Sequence, residues 1–329
     1  MSRGAKQRPS ANGLGSPHRG LKPSGPREKF TVELLDRLWQ RYRRRVSYVR
    51  DYEQVVESAG ATFHNDHIAF RTIARQRPAA GAASLSRIVE ALGYQAAGCY
   101  RFPDKHLGAV HFDHPSPGFP KLFISELKTW ELPAAAQRIL LRCLKDSRPA
   151  LPDRALAALY NVAKLTAAQR SKLLATVARQ FEQLPWPAPA KKDVLAVNET
   201  SQYGAWVLVH GYNVNHFTAL VNSHGRGKLD TIDKTVAALL KAGVPMKDRI
   251  EGARGSKLRQ TATDAVMIQT TVTKRGKKTR MPWTYAYLEI AERGMVADAE
   301  SGRPTRFEGF LGPQATQLFE MTKLGGKRK

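Results

Sequence analysis

The sequence predicts an α+β fold in which two βαβββ modules form an open barrel around a metal ion. The order strand, helix, strand, strand, strand occurs twice along the chain, and each copy carries a histidine in its first strand and a glutamate in its last. A helix-rich insert separates the two copies, and a basic tail precedes them. These observations indicate an internal structural repeat.

The tail comprises residues 1–29, which are rich in Gly, Pro, Ser and Arg and are predicted to be disordered because they cannot bury enough apolar surface. The formal net charge of the chain is +25. Residues 1–29, 37–50, 274–280 and 323–329 together contain 22 Lys and Arg but one Glu, so the remaining chain is close to neutral. This distribution favours a folded body with basic appendages that can touch nucleic acid or an acidic surface non-specifically.

The first module is predicted at about residues 60–130, after a helix at about 31–58 whose arginines form a solvated face. In the run HNDHIAFRTI, His67, Ala69 and Arg71 alternate with apolar side chains, which is the period-2 pattern of a strand with these three residues on one face. Shorter signals complete the module: a helix at 84–92 ended by Gly93, and strands around 100, around 110 and at 121–127.

The insert at about 133–183 has apolar residues spaced three and four apart, which predicts three helices, and the Pro-rich run at 185–189 forms a linker. The second module, at about 200–293, repeats the first. Its elements are a strand from about 205 through His216, a helix at 231–241, and strands at 257–261, 265–273 and 284–291. With a C-terminal segment at 294–329, residues 30–329 are predicted to form a single metalloenzyme domain.

Three polar residues in these strands suit a metal site. Two imidazoles and one carboxylate can bind one face of an octahedral metal and leave adjacent positions open for substrate and O₂. His67, His216 and Glu289 are therefore the predicted ligands. Glu126, in the last strand of the first module, occupies the place that corresponds to Glu289 and is the alternative carboxylate. These ligand types accept Mn, Co or Ni as well as Fe(II).

Other features of the chain indicate no second centre and no membrane span. His111, Asp113 and His114 form a compact group that suits zinc, but the prolines that follow favour surface histidines in a turn. The two cysteines give no disulfide framework, and neither a signal-peptide core nor a run of about 20 apolar residues is present. A reduced, cytoplasmic protein is expected.

The element order resembles that of the vicinal oxygen chelate superfamily, where metal ligands come from these same strands. At the level of motifs, NDHIAFRT at 65–72, VNHFT at 214–218 and YLEIAERG at 287–294 resemble the DUF1338 family, and the resemblance covers about residues 30–325. This family includes bacterial hydroxyglutarate synthase, a 2-oxoadipate dioxygenase/decarboxylase of lysine catabolism. The resemblance implies iron ligands at His67, His216 and Glu289, since such sites commonly take their carboxylate from the later strand.

The activity that this resemblance implies is Fe(II)-dependent conversion of a 2-oxo dicarboxylic acid, 2-oxoadipate, with O₂ into 2-hydroxyglutarate and CO₂. Arg71 is the implied catalytic and substrate-binding residue, because its guanidinium can hold the distal carboxylate through a bidentate pair. Gln260 and Thr261, in the strand before the glutamate strand, are candidate substrate-binding groups. The alternatives are a metal-dependent lyase or isomerase on the same fold, or a basic nucleic-acid-binding protein.

Overall fold

The computed structural model of the chain describes residues 15–77, 79–149, 151–225, 227–312 and 319–322. Two N-terminal helices, α1 (Pro26–Arg45) and α2 (Tyr48–Ser58), replace the single helix predicted at 31–58. Helix α1 ends at Arg45, and the next residue, Val46, has an extended backbone with φ −100° and ψ 95°. The helix-like spacing of apolar residues continues across this break, so the sequence pattern alone does not show that there are two helices.

Residues 15–25 contact the folded body, so the predicted disordered tail at 1–29 was too long. His18 is only 2% exposed, and its Nδ1 lies 2.8 Å from Asp36 Oδ1 on α1. Its Nε2 lies 3.5 Å from Asn65 Oδ1. The sequence did not indicate that this segment is ordered, because one buried histidine with specific partners produces no periodic pattern. The remainder of the predicted tail, residues 1–14, lies outside the described residues.

The first module and the insert follow the predicted order. Their elements are β1 (His64–Ala74), α3 (Ala82–Ala91), β2 (Gln95–Phe102), β3 (Leu107–Asp113) and β4 (Lys121–Lys128), then α4 (Ala134–Cys143), α5 (Asp153–Tyr160) and α6 (Ala167–Glu182). The three insert helices are as predicted. Thr166 accepts a hydrogen bond from Gln169 N and Gln169 Oε1 accepts one from Thr166 N, which fixes the start of α6.

Two helices between the insert and the second module were not predicted, α7 (Lys191–Thr200) and α8 (Gln202–His210). The apolar run within α8 was interpreted as the beginning of a strand. Every residue from Tyr203 to His210 is buried in α8, and a helix that is apolar on all sides has the same hydropathy as a buried strand. Gly211, at φ 63°, then turns the chain before β5 begins.

The second module departs from the first in its later strands. It consists of β5 (Val214–Leu220), α9 (Ile232–Lys241), β6 (Leu258–Ala262), β7 (Met267–Lys274), β8 (Lys277–Thr284) and β9 (Glu289–Arg293), followed by β10 (Met295–Ala297) and β11 (Pro304–Arg306). Strands β7 and β8 form a separate basic hairpin, whereas 265–273 was predicted to lie in the barrel. Strand β9 begins at Glu289, five residues after the predicted start at 284.

A seven-stranded sheet joins the two modules in the order β2-β3-β4-β1-β5-β9-β6. Strand β1 pairs in parallel with β4 and β5 pairs in parallel with β9, while β1 and β5 are antiparallel neighbours at the centre. The modules are therefore related by an approximate two-fold rotation between β1 and β5. The sheet curls into a half-barrel whose concave face holds the polar residues described below.

Helix α1 packs against the opposite face of the sheet. The ring centroids of Trp39 and Tyr42 lie 5.0 and 4.9 Å from that of Phe217 on β5. Its arginines were predicted to be solvated, but several bind neighbouring elements: Arg37 donates two hydrogen bonds to Glu182, and Arg43 donates to Glu53. Much of the basic charge of this helix thus holds α1 against α6 and α2.

Candidate metal centre

Two histidines and one glutamate face one another on three strands of the sheet. His67 Nε2 is 3.4 Å from Glu289 Oε1, and His216 Nε2 is 3.3 Å from Glu289 Oε2. One potential ligand atom from each side chain lies within 4.8 Å of the others, and all three residues are buried. Within the described ranges this is the one such group of His, Cys, Asp or Glu. A divalent cation fits this donor set.

Strand register brings these side chains together from distant parts of the sequence. Ala69 lies opposite His216 and His67 lies opposite Thr218 where β1 meets β5. Thr218 lies beside Glu289 where β5 meets β9. Because neighbouring strands are only about 4.8 Å apart, side chains on one face in adjacent rows converge on one point.

Each histidine is oriented by the residue that precedes it. Asp66 Oδ2 lies 2.8 Å from His67 Nδ1, and Asn215 Oδ1 lies 3.1 Å from His216 Nδ1. Both oxygens accept, so each Nδ1 carries the proton and each Nε2 is left with its lone pair towards the centre. Burial, together with His67 and Arg71, holds the pKa of His216 well below its usual value, which keeps that imidazole neutral.

Behind His67, Asp66 forms a buried ion pair. Arg293 Nε and Nη2 donate to Asp66 Oδ1 and Oδ2 at 2.6 and 2.8 Å. Burial alone would raise the pKa of Asp66, but Arg293 and the hydrogen bond from His67 hold it well below its usual range. Arg293 Nη1 also donates to the carbonyls of Phe307 and Gly309, at 3.0 and 2.9 Å. One guanidinium thus connects a candidate ligand to the segment at 307–310.

Glu289 is completely buried, and one of its oxygens is unsatisfied. Gln260 Nε2 donates to Oε1 at 2.7 Å, whereas Oε2 has no hydrogen-bond partner in the part of the chain that the structure describes. Burial raises the pKa of Glu289 to about 7, although His67 lowers it. A buried carboxylate with a free oxygen is costly without a cation, so this atom supports a metal at the centre.

A cavity opens over the three residues. Its wall combines polar groups with aromatic side chains from both modules and the C-terminal region: Ala69, Phe70, Arg71, Phe123, Ser125, Asn215, Gln260, Tyr287, Phe310 and Phe319, beside the three candidate ligands. Such a mostly apolar cavity with a few convergent polar groups is typical of a small-molecule site.

Arg71 lies at one end of this cavity and is 1% exposed. Its Nη1 donates to Thr322 Oγ1 at 2.7 Å and its Nη2 to the Phe319 carbonyl at 3.3 Å. The guanidinium lies 5.1 Å from the Tyr203 ring and 5.2 Å from the Trp206 ring. Its Nε has no partner among the described residues. A buried cation held by uncharged groups is suited to an anionic ligand.

Of the two candidate polar groups on β6, only Gln260 lines the cavity. Thr261 donates to the Arg249 carbonyl at 3.2 Å and is not part of the cavity wall, which corrects its prediction as a substrate-binding residue. Successive strand residues point to opposite faces, so both could not serve one site.

The correspondence assumed for Glu126 was wrong by three positions. Relating β1 to β5 matches His67 with His216 and Ala69 with Thr218. Ala69 pairs with Phe123 on β4 as Thr218 pairs with Glu289 on β9, so Phe123 is the counterpart of Glu289. Glu126 Oε2 instead accepts from Ala82 N at 2.8 Å, at the start of α3.

The true counterpart of Glu126 confirms this correspondence. Three residues after Glu289, Glu292 Oε2 accepts from Ile232 N at 2.9 Å, at the start of α9. Each module thus ends its last strand with a glutamate that caps its own helix, where negative charge is favoured.

Several residues at the site were not predicted. Thr218 Oγ1 lies 3.0 Å from His67 Nε2, and Asp66 and Asn215 were quoted only as parts of motifs. The occurrence of Asp or Asn directly before both histidines was a usable signal for the orienting pair. Phe310 and Phe319 come from irregular segments, where no periodicity indicates that a side chain reaches the centre.

Three further histidines make other contacts. His111 Nδ1 bonds the Tyr100 hydroxyl at 2.9 Å, and the His114 ring stacks on Phe119 at 4.1 Å, so neither belongs to a metal cluster within the described residues. His210 lies in α8, where its Nε2 donates to the Thr284 carbonyl at 2.8 Å.

The comparison with protein families agrees with this geometry. A family model described as 2-oxoadipate dioxygenase/decarboxylase matches residues 34–317. The chain belongs to this family. The matched segment contains all three candidate ligands and Arg71. The recognition made from the NDHIAFRT motif is thereby confirmed.

Two plant relatives carry the same family name. The chloroplastic/amyloplastic 2-oxoadipate dioxygenase/decarboxylase of Oryza sativa subsp. japonica is 30% identical over 163 residues, which cover 46% of this chain and 38% of the relative. The chloroplastic protein of Arabidopsis thaliana is 25% identical over 277 residues, covering 78% and 67%. The match thus spans well under half of the rice relative and two thirds of the Arabidopsis one.

Solved structures show the fold. A protein assigned to the glyoxalase superfamily from Ralstonia eutropha JMP134 superimposes with a TM-score of 0.75 at 24% identity, covering 86% of this chain and 89% of the other. Hydroxyglutarate synthase from Oryza sativa, solved in complex with 2-oxoadipate, gives a TM-score of 0.73 at 23% identity and 98% coverage of both. The predicted vicinal-oxygen-chelate-like fold is confirmed. No described helix is long and apolar enough to cross a bilayer.

Proposed function

We propose that this protein is an Fe(II)-dependent dioxygenase/decarboxylase that converts 2-oxoadipate and O₂ into 2-hydroxyglutarate and CO₂, a step of lysine catabolism. The carboxylate next to the keto group leaves as CO₂. One oxygen atom enters the new carboxylate and the other becomes the hydroxyl group, so atoms and electrons balance without an added reductant. The carrying observation is that the His67–His216–Glu289 group and Arg71 line one cavity.

His67, His216 and Glu289 would hold the metal. The two Nε2 atoms are free of protons, and the unsatisfied Oε2 of Glu289 supplies the negative donor. Fe(II) in such a site supplies binding of the 2-oxo acid and activation of O₂ at its open positions. Gln260 orients the carboxylate of Glu289 by its 2.7 Å hydrogen bond to Oε1.

Arg71 would bind the distal carboxylate of the substrate. It lines the same cavity as the ligands, and its Nε is available there. Tyr203, Trp206 and Phe319 surround the guanidinium, which strengthens a charge-assisted hydrogen bond by excluding water. A 2-oxo acid with a second carboxylate can then contact the metal centre and Arg71 at once, which selects dicarboxylic acids.

The aromatic wall would protect the reaction from water. The Phe310 ring lies 4.9 Å from the His67 ring and 5.1 Å from the Phe123 ring, directly over one side of the centre. Phe319 closes the end near Arg71. Excluding water would prevent side reactions, and the aromatic wall would hold the shortened acid close for hydroxylation.

The test is O₂ consumption by anaerobically purified protein reconstituted with Fe(II), with 2-oxoadipate as substrate. Equal amounts of O₂ consumed, CO₂ released and 2-hydroxyglutarate formed are expected, and His67→Ala and Glu289→Ala should abolish all three. Shorter and longer 2-oxo dicarboxylic acids in the same assay identify the preferred chain length.

Negative results distinguish the alternatives. Tight metal binding without O₂ uptake on any 2-oxo acid would reject the oxygenase and leave a lyase or isomerase. No metal binding, together with nucleic-acid affinity that falls steeply with salt, would favour the nucleic-acid-binding protein. The two free cysteines suit a reducing compartment, and we propose the cytoplasm as the site of action.

A further inference from the structure

The two-fold relation between the modules defines four equivalent positions around the centre. His67 and His216 occupy one pair of related positions, on β1 and β5. Glu289 on β9 and Phe123 on β4 occupy the other pair, because each lies beside the residue two positions after a histidine. Three of the four positions therefore carry donors, and the fourth carries a phenyl ring.

Phe123 faces the centre. It is 6% exposed and lines the cavity that contains all three candidate ligands. Its ring centroid is 5.1 Å from that of Phe310, whose ring in turn contacts His67. The side chain thus has the orientation that Glu289 has in the other module, but it has no donor atom.

The environment of Phe123 also differs from that of Glu289. Gln260 on β6, which donates to Glu289, pairs with Ala291. The related position on β4 is Ser125, which pairs with Ala109 on β3, so an alanine stands where the second module has the glutamine. The first module therefore lacks both the carboxylate and its orienting amide, while its β1 carries Arg71 two residues after Ala69.

We propose that Phe123 is the specificity-determining residue that keeps the fourth ligand position free of a protein donor, so that the open side of the metal faces Arg71. This inference rests on the metal site of the proposed function. Phe123 and Ser125 on β4 lie beside Ala69 and Arg71 on β1, so the substrate approaches along the first module. A carboxylate at position 123 would compete with the 2-oxo acid for the metal.

The test moves the carboxylate between the two related positions. Co(II) is titrated into metal-free protein, and its dissociation constant and absorption spectrum are measured for the wild type, Glu289→Ala, Phe123→Glu and the double variant Phe123→Glu/Glu289→Ala. Phe123→Gln, which has a similar shape but no charge, is the matched control. Circular dichroism and thermal unfolding establish that each variant folds.

Glu289→Ala should weaken Co(II) binding by about 100-fold or more, since loss of an outer-shell partner alone typically costs 10- to 100-fold. The double variant should recover most of this affinity. Phe123→Glu should bind Co(II) roughly tenfold more tightly than the wild type, because an added carboxylate raises ligand charge. In Phe123→Glu, 2-oxoadipate should no longer change the Co(II) spectrum, whereas Phe123→Gln should retain that change.

The outcomes separate this inference from the proposed function. A Glu289→Ala variant that keeps wild-type Co(II) affinity would reject the metal site itself. If Glu289→Ala loses the metal but a folded double variant does not regain it, position 123 is not equivalent to 289 and the inference is wrong. Should Phe123→Glu misfold, the double variant, which carries one buried glutamate as the wild type does, still decides the question.

Discussion

At the scale of single residues, the cation of Arg71 is held by a hydroxyl group, a carbonyl group and aromatic rings. We expect Arg71→Met to weaken 2-oxoadipate binding about 100-fold, or about 2.8 kcal/mol, because a charge-assisted bidentate pair is lost. The free energy of unfolding should stay constant or rise, since a buried unpaired charge is costly and Met fills similar space.

Substrate titration and urea unfolding of the same Arg71→Met preparation check this prediction. Arg71→Lys serves as a control, because it keeps the charge but loses the planar fork of the guanidinium. Its affinity for 2-oxoadipate should lie between those of the wild type and Arg71→Met. A large loss of stability together with normal substrate affinity would mean that Arg71 has a structural role only.

Asp66 is the acceptor that both His67 and Arg293 require. We expect Asp66→Asn to weaken metal binding 10- to 100-fold, because a ligand loses its orienting carboxylate. The free energy of unfolding should also fall by about 3–5 kcal/mol, because Arg293 becomes a buried charge without its partner. Competition with a metal-sensitive dye and urea unfolding provide the two measurements.

A carboxylate outside the centre controls for general charge effects. Asp113 is 39% exposed and pairs with Lys121 at 2.9 Å. Asp113→Asn should leave metal affinity unchanged and alter stability by about 1 kcal/mol at most. If Asp66→Asn behaved in the same way, the ion pair with Arg293 would have no influence on the metal ligand.

The predictability of the site residues differed with the kind of signal. Strand alternation put His67 and Arg71 on one strand face, the repeated module singled out His216, and all three line the cavity. The order of elements was not sufficient for Glu126, because only backbone register shows which residue of β4 lies beside Ala69.

At the scale of elements, the segment 307–310 covers the centre and is held by Arg293. We expect Phe310→Ala to raise the dissociation constant of 2-oxoadipate about tenfold and to lower the yield of 2-hydroxyglutarate per O₂, because water enters the cavity. Metal affinity should be retained, since no donor is removed. The yield is measured by quantifying 2-hydroxyglutarate formed and O₂ consumed in the same reaction sample.

Phe307 provides the matched control on the same segment. Its ring lies 5.0 Å from Lys257 Nζ, and Phe307 is not part of the cavity wall. Phe307→Ala should therefore leave the product yield unchanged. An equal loss of yield in both variants would indicate that the whole segment had detached, and that Phe310 itself does not seal the cavity.

The prediction of secondary structure was wrong where a helix and a strand would have the same hydropathy pattern. Helix α8 is buried on all sides, so its apolar run matched a strand. The hairpin β7–β8 has strand-like sequence, but nothing local specifies whether its partner is the central sheet or its own neighbour. The insert helices and both module helices, in contrast, have one apolar stripe, and this periodicity was sufficient.

At the scale of the whole molecule, the repeat of modules was predictable because each module keeps its own strand, helix and capping glutamate. Their relative placement was not, since it depends on the antiparallel register between β1 and β5, which are about 150 residues apart in the chain. The metal centre lies at that junction. Function in this fold therefore arises from an interface that neither module contains alone.

Deletions in the N-terminal region can test whether the basic residues 1–14 contribute to catalysis. His18 lies against Asn65, whose Nδ2 donates to the carbonyls of His67 and Thr218 at 2.9 and 2.8 Å. We expect deletion of residues 1–14 to spare turnover and metal affinity, because it keeps His18 and its contacts with Asp36 and Asn65. Deletion of residues 1–25 should reduce the free energy of unfolding by about 1–3 kcal/mol, since Asp36 loses its partner.

Three proteins are compared: the full chain, the deletion of residues 1–14 and the deletion of residues 1–25. Turnover, thermal unfolding and binding to a labelled oligonucleotide at two salt concentrations are measured for each. His18→Ala in the full chain is the matched control, and it should resemble the longer deletion in stability while keeping the charge of residues 1–14. If the shorter deletion removes nucleic-acid binding and leaves turnover intact, the basic segment is an appendage to the enzyme. If it removes turnover instead, residues 1–14 act at the metal centre and the prediction fails.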